Sequence, residues 1–391
     1  MSTFKGIFLL KGTVQHYEWG GYDFLPGLLG INNAEKKPYA EYWMGSHPKA
    51  PSHIIINGES RTMDTIVHLP FLFKAQDVRE MLSIQVHPSK KAAELEFARE
   101  NHERIPVDAP HRNYRDDNHK PELACALSEF RLLHGFKNEK LLQAVLDAVP
   151  EFAALSVLFR KDGYEALYKK VMGMPQEEVN EILYPLIDRI VPLYQQGALN
   201  KNEEDYWAAR AALSFSRNGN ADRGIFSIYF FNIVVLQPGE AIFQDAGIPH
   251  AYLEGQCMEI MANSDNVLRG GLTFKHVDVK ELMKHVLCKP LVPSVLKGTP
   301  AGEFEKIFET PAPDFQLSEI RLPEKKFLDQ KSVSDEILFL YSGKIEIQSE
   351  YGSRKLKRGE AAFVTGIDSY RLSAVENSVL YRAAVPHRLH E

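Results

Sequence analysis

The sequence predicts a mainly β protein with an α-helical insert, built as two β-sandwich units plus a helical domain. Short apolar segments bounded by Gly, Pro and Asn recur through the first 135 residues. Apolar residues then follow helical spacing from about residue 138 to residue 215, and beyond them one strand–turn–strand arrangement occurs twice. Because strands and helices leave different apolar periods, these observations divide the chain into β, α and β parts.

Turn residues divide the first part into short strands, which favours an antiparallel sandwich or barrel over a doubly wound parallel sheet. The predicted strands cover residues 6–14, 53–56, 69–75, 82–86 and 122–127.

The middle part has the apolar spacing of amphipathic helices, as in Leu141, Leu142, Val145 and Leu146. The same spacing recurs over residues 164–171, 179–193 and 206–213, with Pro150, Pro175 and Gly197 as breaks. We expect this insert to cover an edge or wall of the sandwich and to close the site only in part.

A repeated turn relates the last two parts of the chain. Strand character returns over residues 227–236, and Gly239 then joins two strand-like segments, as Gly359 does near the C-terminus; each is followed by Glu. Glycine supplies a turn conformation that other residues resist. The repeat predicts two related units of the jelly-roll (cupin) type. Only the first copy is followed by a histidine, His250, so the C-terminal unit is predicted to lack a metal site and to serve packing or assembly.

The changes of pattern set the predicted domain boundaries. The first jelly roll is expected in two parts, over residues 1–135 and 223–285, with the helical insert over 136–222 between them. The C-terminal jelly roll is expected over residues 286–391.

Composition narrows the function classes. The chain of 391 residues carries a net charge of −6, which argues against nucleic acid or an anionic membrane as the main partner. Its three cysteines, Cys125, Cys257 and Cys288, are scattered, as free thiols in a reducing compartment are. The N-terminus has no secretory pattern and no apolar segment is long enough for a bilayer. A cytoplasmic protein is expected.

Polar side chains at apolar strand positions mark a candidate metal site. Gln85 and His87 lie two residues apart in the apolar segment 82–87, so on a strand both point to one face. Glu122 opens a second apolar segment, and His250 follows a third polar cluster. A Gln, two His and a Glu form a mixed N/O ligand set with an open position. Each residue alone also fits a core histidine or a loop charge; the segments together favour the metal.

The ligand types favour zinc, with manganese, cobalt, nickel or iron as alternatives. A set without thiolates is untypical of structural zinc. Oxygenases on a cupin scaffold usually need more histidine, often as a His-x-His pair.

Two more polar residues lie just before Glu122. On an extended strand Lys120 shares a face with Glu122 and would lie close to the ion, available for proton transfer, with His119 beside it. The alternative is a solvent-facing turn that ends in a lysine.

A polar loop over residues 263–275 supplies further charges. Asp265 and Arg269 are four residues apart, as in a helical salt bridge, but the Asn residues and paired glycines around them disfavour a helix. Arg269 and Lys275 would give this loop two cations for a phosphate or a developing oxyanion. No P-loop motif is present.

These clusters together resemble the type I mannose-6-phosphate isomerase (phosphomannose isomerase) family over nearly the whole chain. The motifs that carry the resemblance are residues 17–20, 41–48, 83–88, 112–122, 249–252 and 263–275. The family implies a catalytic jelly roll, a helical insert and a second jelly roll, and one zinc ion held by Gln85, His87, Glu122 and His250.

The resemblance also implies roles for other residues. Arg269 would support an enediol intermediate. Ser83, Lys275 and Trp19 would meet the substrate and its phosphate, while His119, Lys120, Asp265 and Tyr252 would serve ring opening or proton transfer. Phe274 stands where a proline is common in the family, which bears on the path to Lys275.

The implied reaction interconverts mannose 6-phosphate and fructose 6-phosphate by moving a proton between C1 and C2 through a cis-enediol. Lys120 with His119 would open the ring, and Asp265 would orient groups or relay a proton. The alternatives are another metal-dependent phosphosugar isomerase, a cupin oxygenase, or a sugar-phosphate sensor without turnover. The expected partner is a small phosphosugar, and the expected state is a monomer, with a homodimer as the alternative.

Overall fold

The computed structural model describes residues 4–332 and 334–386. Residues 1–3 of the first predicted domain, and residues 333 and 387–391 of the last, lie outside the described residues. The strands are β1 Gly6–Lys11, β2 Thr13–Gln15, β3 Glu41–Gly45, β4 His53–Ile56, β5 Glu59–Thr62, β6 Phe71–Val78, β7 Gln85–Val86, β8 Glu122–Ala126, β9 Phe130–Phe136, β10 Phe231–Leu236, β11 Ala241–Gln244, β12 His250–Ala262, β13 Leu268–Arg269, β14 Thr299–Pro300, β15 Glu305–Phe308, β16 Gln316–Leu322, β17 Phe327–Lys331, β18 Glu336–Ser342, β19 Lys344–Ser349, β20 Gly352–Lys357, β21 Ala361–Thr365, β22 Ser369–Ala374 and β23 Ser378–Ala384.

The helices are α1 Phe24–Leu29, α2 Lys90–His102, α3 Glu139–Ala148, α4 Ala153–Gly173, α5 Gln176–Gln195, α6 Glu204–Phe215, α7 Gly224–Phe230 and α8 Val279–His285, with 3₁₀ turns at Met63–Thr65 and Pro150–Phe152. The predicted fold class, mainly β with a helical insert, is confirmed.

The long strand β12 organises the sheet that carries the predicted site. It pairs with β6, β7, β8 and β9, all antiparallel. Its first residue is His250, and Glu122 is the first residue of β8, so both side chains lie at strand ends. The two-residue strand β7 places Gln85 between β12 and β13.

A second sheet joins the two ends of the chain in the order β14-β15-β16-β23-β18-β21-β1-β4-β5. Strand β1 pairs with β21, so residues from the first predicted domain complete the sheet of the last. One apolar core packs residues from both parts, such as Leu10 and Met44 with Phe339 and Phe363. The predicted domain boundaries stay a prediction, and this shared sheet crosses them.

The insert forms the predicted bundle over α3 to α6. Its buried faces pack with β-sheet residues in one core, which includes Leu142, Leu183, Trp207, Val86 and Leu133. Among the described residues no single helix is both long and apolar enough to cross a membrane. The bent pair Glu139–Ala148 and Pro150–Gly173, at 112° to each other, meets that test of length and composition only when taken together.

The repeated turn has the same geometry in both copies. Gly239 and Gly359 have φ of 85° and 82°. In each copy the glutamate that follows accepts a backbone N–H three residues earlier, Glu240 from Gln237 at 2.9 Å and Glu360 from Lys357 at 3.0 Å. The matching side-chain bonds support two related units.

Two strand predictions were wrong in part. Residues 227–230 belong to helix α7 and only residues 231–236 form a strand. Every residue of α7 is buried, and a continuous apolar segment has no period that separates a helix from a strand. Residues 82–84 are irregular, because the strand that contains Gln85 is only two residues long.

Candidate metal centre and active site

Three of the four predicted ligands converge in the interior. Nε2 of His250 lies 3.2 Å from Oε2 of Glu122, and Nε2 of His87 lies 3.5 Å from the same oxygen. One ligand atom from each residue falls within 4.8 Å of the others, and all three residues are buried. The cluster is therefore compact enough to share one ion.

Hydrogen bonds at Nδ1, the ring nitrogen that faces away from Glu122, set the tautomers of both histidines. Nδ1 of His87 donates to the carbonyl oxygen of Asn266 at 2.9 Å, and Nδ1 of His250 donates to that of Ile248 at 3.0 Å, since a carbonyl only accepts. Each Nε2 is then an unprotonated donor atom for a metal. Nε2 of His87 is fully buried and has no hydrogen-bond partner among the described residues. Such an orphaned nitrogen beside a carboxylate fits a divalent metal.

Gln85 and Arg269 share a face with the histidine ligand. Across antiparallel strands, Gln85 lies opposite His250 on one side and opposite Arg269 on the other. Directly opposed residues project their side chains to the same face. Gln85 also lines a cavity of about 60 Å³ together with Glu122 and His250. The strand register thus brings the fourth predicted ligand and the predicted cation to the cluster.

Lys120 adjoins the carboxylate ligand. Its Nζ lies 3.0 Å from Oε1 of Glu122, and both residues line the same cavity. Burial alone would raise the pKa of Glu122, but Lys120 and the two histidines hold it well below its usual value. The glutamate is consequently an anion, as a metal ligand must be.

The other wall of this cavity is polar; the sequence pointed to Tyr252 there, but not to Lys74, Gln76 or Glu259. Lys74 lies opposite Glu259 across β6 and β12, with Nζ 2.8 Å from Oε2. Gln76 donates to both Glu259 and Glu41, at 2.9 Å each. The hydroxyl of Tyr252 donates to Oε1 of Glu259 at 2.7 Å.

Burial raises the pKa of Glu259, and burial together with Glu259 raises that of Tyr252 well above its usual value. Burial opposes the charge on Lys74, but Glu259 and Glu41 raise the pKa of this lysine. A lysine inside the buried strand β6 was the signal that could have identified this wall.

Asp265 lies in a second hydrogen-bonded group with His47 and Lys49. Its Oδ2 lies 2.7 Å from Nζ of Lys49 and 3.6 Å from Nε2 of His47. Burial opposes the charge of Asp265, but Lys49 and His47 lower its pKa. Burial lowers the pKa of His47 to about 4. These three residues line a cavity of about 470 Å³, so Asp265 faces solvent space, and Lys120 is near enough to lower its pKa as well.

The two loop cations have no acidic partner. Among the described residues, no carboxylate lies within 4.0 Å of Arg269 or Lys275, whereas Arg115 is near enough to affect both. Burial and Arg115 lower the pKa of Arg269, and burial and Arg269 lower that of Lys275. Ser83 precedes Ile84, whose backbone pairs with Gly270 and Gly271 beside this loop. An anion would relieve this repulsion.

His119 turns toward the C-terminal part of the chain. Its Nε2 lies 2.7 Å from Oδ2 of Asp314, a residue 195 positions away. His119 is not among the residues that line the cavity at Glu122. Trp19 also lies outside that lining; it stacks on Tyr17, with ring centroids 5.8 Å apart, and packs against the cluster that contains Tyr252. The roles predicted for both residues stay predictions.

Comparisons with known proteins identify the family of this chain. Residues 7–139 match the model of the phosphomannose isomerase type I catalytic domain. The chain is 36% identical to mannose-6-phosphate isomerase of Salmonella typhimurium, over 92% of this chain and 95% of that protein. It is 33% identical to the human mannose-6-phosphate isomerase, over 96% of this chain and 98% of that protein.

Solved structures show the same likeness. The mannose 6-phosphate isomerase of Salmonella typhimurium, solved with substrate (f6p) and a zinc atom, superposes with a TM-score of 0.84 at 33% identity, covering 97% of this chain and 99% of that one. A point mutant of the Salmonella phosphomannose isomerase gives a TM-score of 0.87 at 32% identity, with the same coverage. This chain belongs to the type I phosphomannose isomerase family.

Proposed function

We propose that this protein is a zinc-dependent aldose–ketose isomerase that interconverts mannose 6-phosphate and fructose 6-phosphate. The observation that carries the proposal is the buried cluster of His87, Glu122 and His250 with Arg269 on the same face. Membership of the family and the substrate-bound relative support the same reaction over a sensor or an oxygenase.

His87, Glu122, His250 and Gln85 would hold the ion. Zinc, when bound, supplies a Lewis acid that favours negative charge on sugar oxygens. Three neutral ligands and one carboxylate leave the site with net positive charge. The outer hydrogen bonds of the two histidines keep both rings oriented toward the cluster.

Arg269 would stabilise the enediol. Arg269 lies opposite Gln85, so their side chains project to the same face, and no carboxylate lies within 4.0 Å of Arg269 among the described residues, which leaves it free to meet an oxyanion. Ser83 and Lys275 would bind the phosphate group, for which the unpaired charge of Lys275 provides the attraction.

Residues on two walls of the cavity would transfer protons to and from the substrate. Lys120 would donate to the ring oxygen, with His119 as the second predicted group and Asp265 as the orienting or relaying group. On the opposite wall, Glu259 would accept the proton that moves between C1 and C2. Its carboxylate accepts hydrogen bonds from Lys74 and Tyr252, which keep it in place, and burial raises its pKa above the usual value.

We place the protein in the cytoplasm, because the described cysteines Cys125, Cys257 and Cys288 are all free. We propose a monomer that acts on a small phosphosugar, with the domain division at residues 135, 222 and 285.

Isomerisation in deuterium oxide tests the proposed chemistry. The protein should convert mannose 6-phosphate to fructose 6-phosphate. It should also incorporate solvent deuterium at the carbon that exchanges its proton, because in the enediol mechanism a base holds that proton and can exchange it with solvent. Glucose 6-phosphate in place of mannose 6-phosphate and oxygen uptake serve as comparisons. Faster turnover of glucose 6-phosphate, or oxygen consumption, would contradict the proposal.

A further inference from the structure

The helical insert holds the backbone of the loop that runs from Arg269 to Lys275. Asp222, which lies between α6 and α7, accepts the backbone N–H of Leu272 at 2.7 Å through Oδ1 and that of Thr273 at 3.2 Å through Oδ2. The same Oδ1 accepts the N–H of Gly224 at 2.7 Å. One partly buried carboxylate thus ties two consecutive loop residues to the start of α7.

The two backbones also touch. Gly271 has a φ of 116°, and a Cβ built on it would lie 2.5 Å from Cα of Gly224. A Cβ on Gly224 would lie 2.6 Å from the nitrogen of Leu272. Because neither position has room for a side chain, the loop and the insert meet in a single register.

Phe274 adds a second attachment, through its side chain. Its ring is 54% exposed and carries the guanidinium of Arg217 3.6 Å from its centroid. The ring of Phe215 lies 6.0 Å away on the same side. This cation–π contact attaches the side chain of Phe274 to the insert.

The part of the insert that makes these contacts is itself anchored. Arg217 and Asn220 exchange backbone hydrogen bonds across a tight turn. Asn180 of α5 accepts from the nitrogen of Ala221 at 3.0 Å and donates to the carbonyl of Gly219 at 3.0 Å. The loop is therefore attached to a fixed surface.

We propose that Asp222 and Phe274 are positioning residues through which the helical insert holds Lys275 in place for the substrate phosphate. The proposal rests on the proposed function for the identity of that phosphate. Lys275 has no acidic partner among the described residues and is repelled by Arg269 and Arg115, so the loop that carries it needs external support to keep it near an anion. The insert provides that support, in addition to covering the sheet.

Substrate and phosphate affinity test the proposal. Phe274→Ala should raise KM for mannose 6-phosphate about fivefold and weaken competitive inhibition by inorganic phosphate by about the same factor, as expected for loosening one charge-assisted contact. Asp222→Asn should raise KM for mannose 6-phosphate and the inhibition constant of inorganic phosphate by about tenfold each, because it weakens the hydrogen bonds to two loop residues. In both variants kcat should stay within about twofold and zinc content should be unchanged, because neither residue touches the cluster. Phe274→Tyr keeps the aromatic ring under Arg217, so its KM and its inhibition by phosphate should match those of the wild type.

Phe327 offers a matched control. It is also 54% exposed and lies under an arginine, Arg371, at 4.2 Å, but in the C-terminal sheet β17–β22. Phe327→Ala should leave KM and phosphate inhibition unchanged. Unchanged KM and phosphate inhibition in Phe274→Ala would overturn the proposal, as would a fall in kcat alone. Calorimetric titration of inorganic phosphate into wild type and Phe274→Ala gives the same comparison without turnover, so a failure of the proposed reaction is distinguishable from a failure of the loop attachment.

Discussion

Nε2 of His250 lies 3.2 Å from Oε2 of Glu122, although the two residues begin different strands that are far apart in the chain. The strand pairing alone does not bring them together, because β8 sets Glu122 opposite Met261, whereas His250 lies opposite Gln85 and His134. His87 adds its own Nε2 to the same oxygen at 3.5 Å. Two imidazole nitrogens therefore share one buried carboxylate oxygen, which is the arrangement that a bound cation would stabilise.

Loss of one histidine ligand should remove both the metal and the activity. His87→Ala should purify with less than about one tenth of the wild-type zinc, because a ligand of a three- or four-coordinate site contributes a large part of its affinity. Metal analysis of the purified protein measures this. His285, which hydrogen-bonds Tyr114 away from the cluster, gives the control: His285→Gln should keep its zinc. Normal zinc binding by His87→Ala would refute the ligand assignment.

Lys120 should be needed for turnover and not for metal binding. Lys120→Met keeps the apolar stem but removes the donor beside Glu122, so kcat should fall by about a hundredfold or more with zinc retained. Steady-state kinetics and metal analysis on one preparation check both. Full activity in this variant would rule out the proton-transfer role.

His47 should make the protein less stable in acid. Burial lowers its folded pKa to about 4, below the unfolded value of about 6.5. A histidine with a lowered folded pKa contributes full stability above pH 6.5 and loses it as the pH falls toward 4. Between pH 7 and pH 5 the titration of His47 should lower the free energy of unfolding by about 2 kcal/mol.

Urea unfolding at both pH values, compared between the wild type and His47→Gln, isolates this contribution. The loss of unfolding free energy from pH 7 to pH 5 should be smaller in His47→Gln. Equal losses in the two proteins would show that His47 is not the titrating group.

A buried ion pair should stabilise the C-terminal unit. Arg382 donates to both carboxylate oxygens of Glu336, at 2.8 and 2.7 Å, and to Glu305 at 3.2 Å. Arg382→Ala leaves two buried carboxylates unpaired and should lower the free energy of unfolding by about 3–5 kcal/mol. Denaturant unfolding of the wild type and Arg382→Ala measures this loss of unfolding free energy. The double variant Arg382→Met/Glu336→Gln should lose less, and a larger loss there would contradict the ion-pair explanation.

The sequence predicted three residues that the structure brings together, because His87 lies within an apolar segment and Glu122 opens another. His87, Glu122 and His250 are charged or polar residues at positions where burial demands a partner, and that local signal needs no knowledge of the fold. The helical insert was predictable for a similar reason, since its apolar period continues over several turns.

Contacts between distant segments were not predictable. Lys74 meets Glu259 across 185 positions, and His119 meets Asp314 across 195, so no spacing in the sequence marks either pair. The same holds for β1, which pairs with β21 in the other sheet. Residues 227–230 were assigned to a strand because a fully buried helix of seven residues has no polar face to show its period.

Chelation followed by zinc restoration tests the central claim most directly. Conversion of mannose 6-phosphate to fructose 6-phosphate is measured on the purified protein, after EDTA treatment, and after zinc is returned. We expect activity to be lost with the metal and regained with zinc. Unchanged turnover in metal-free protein, or no turnover with one zinc bound per chain, would contradict the proposed zinc-dependent isomerase.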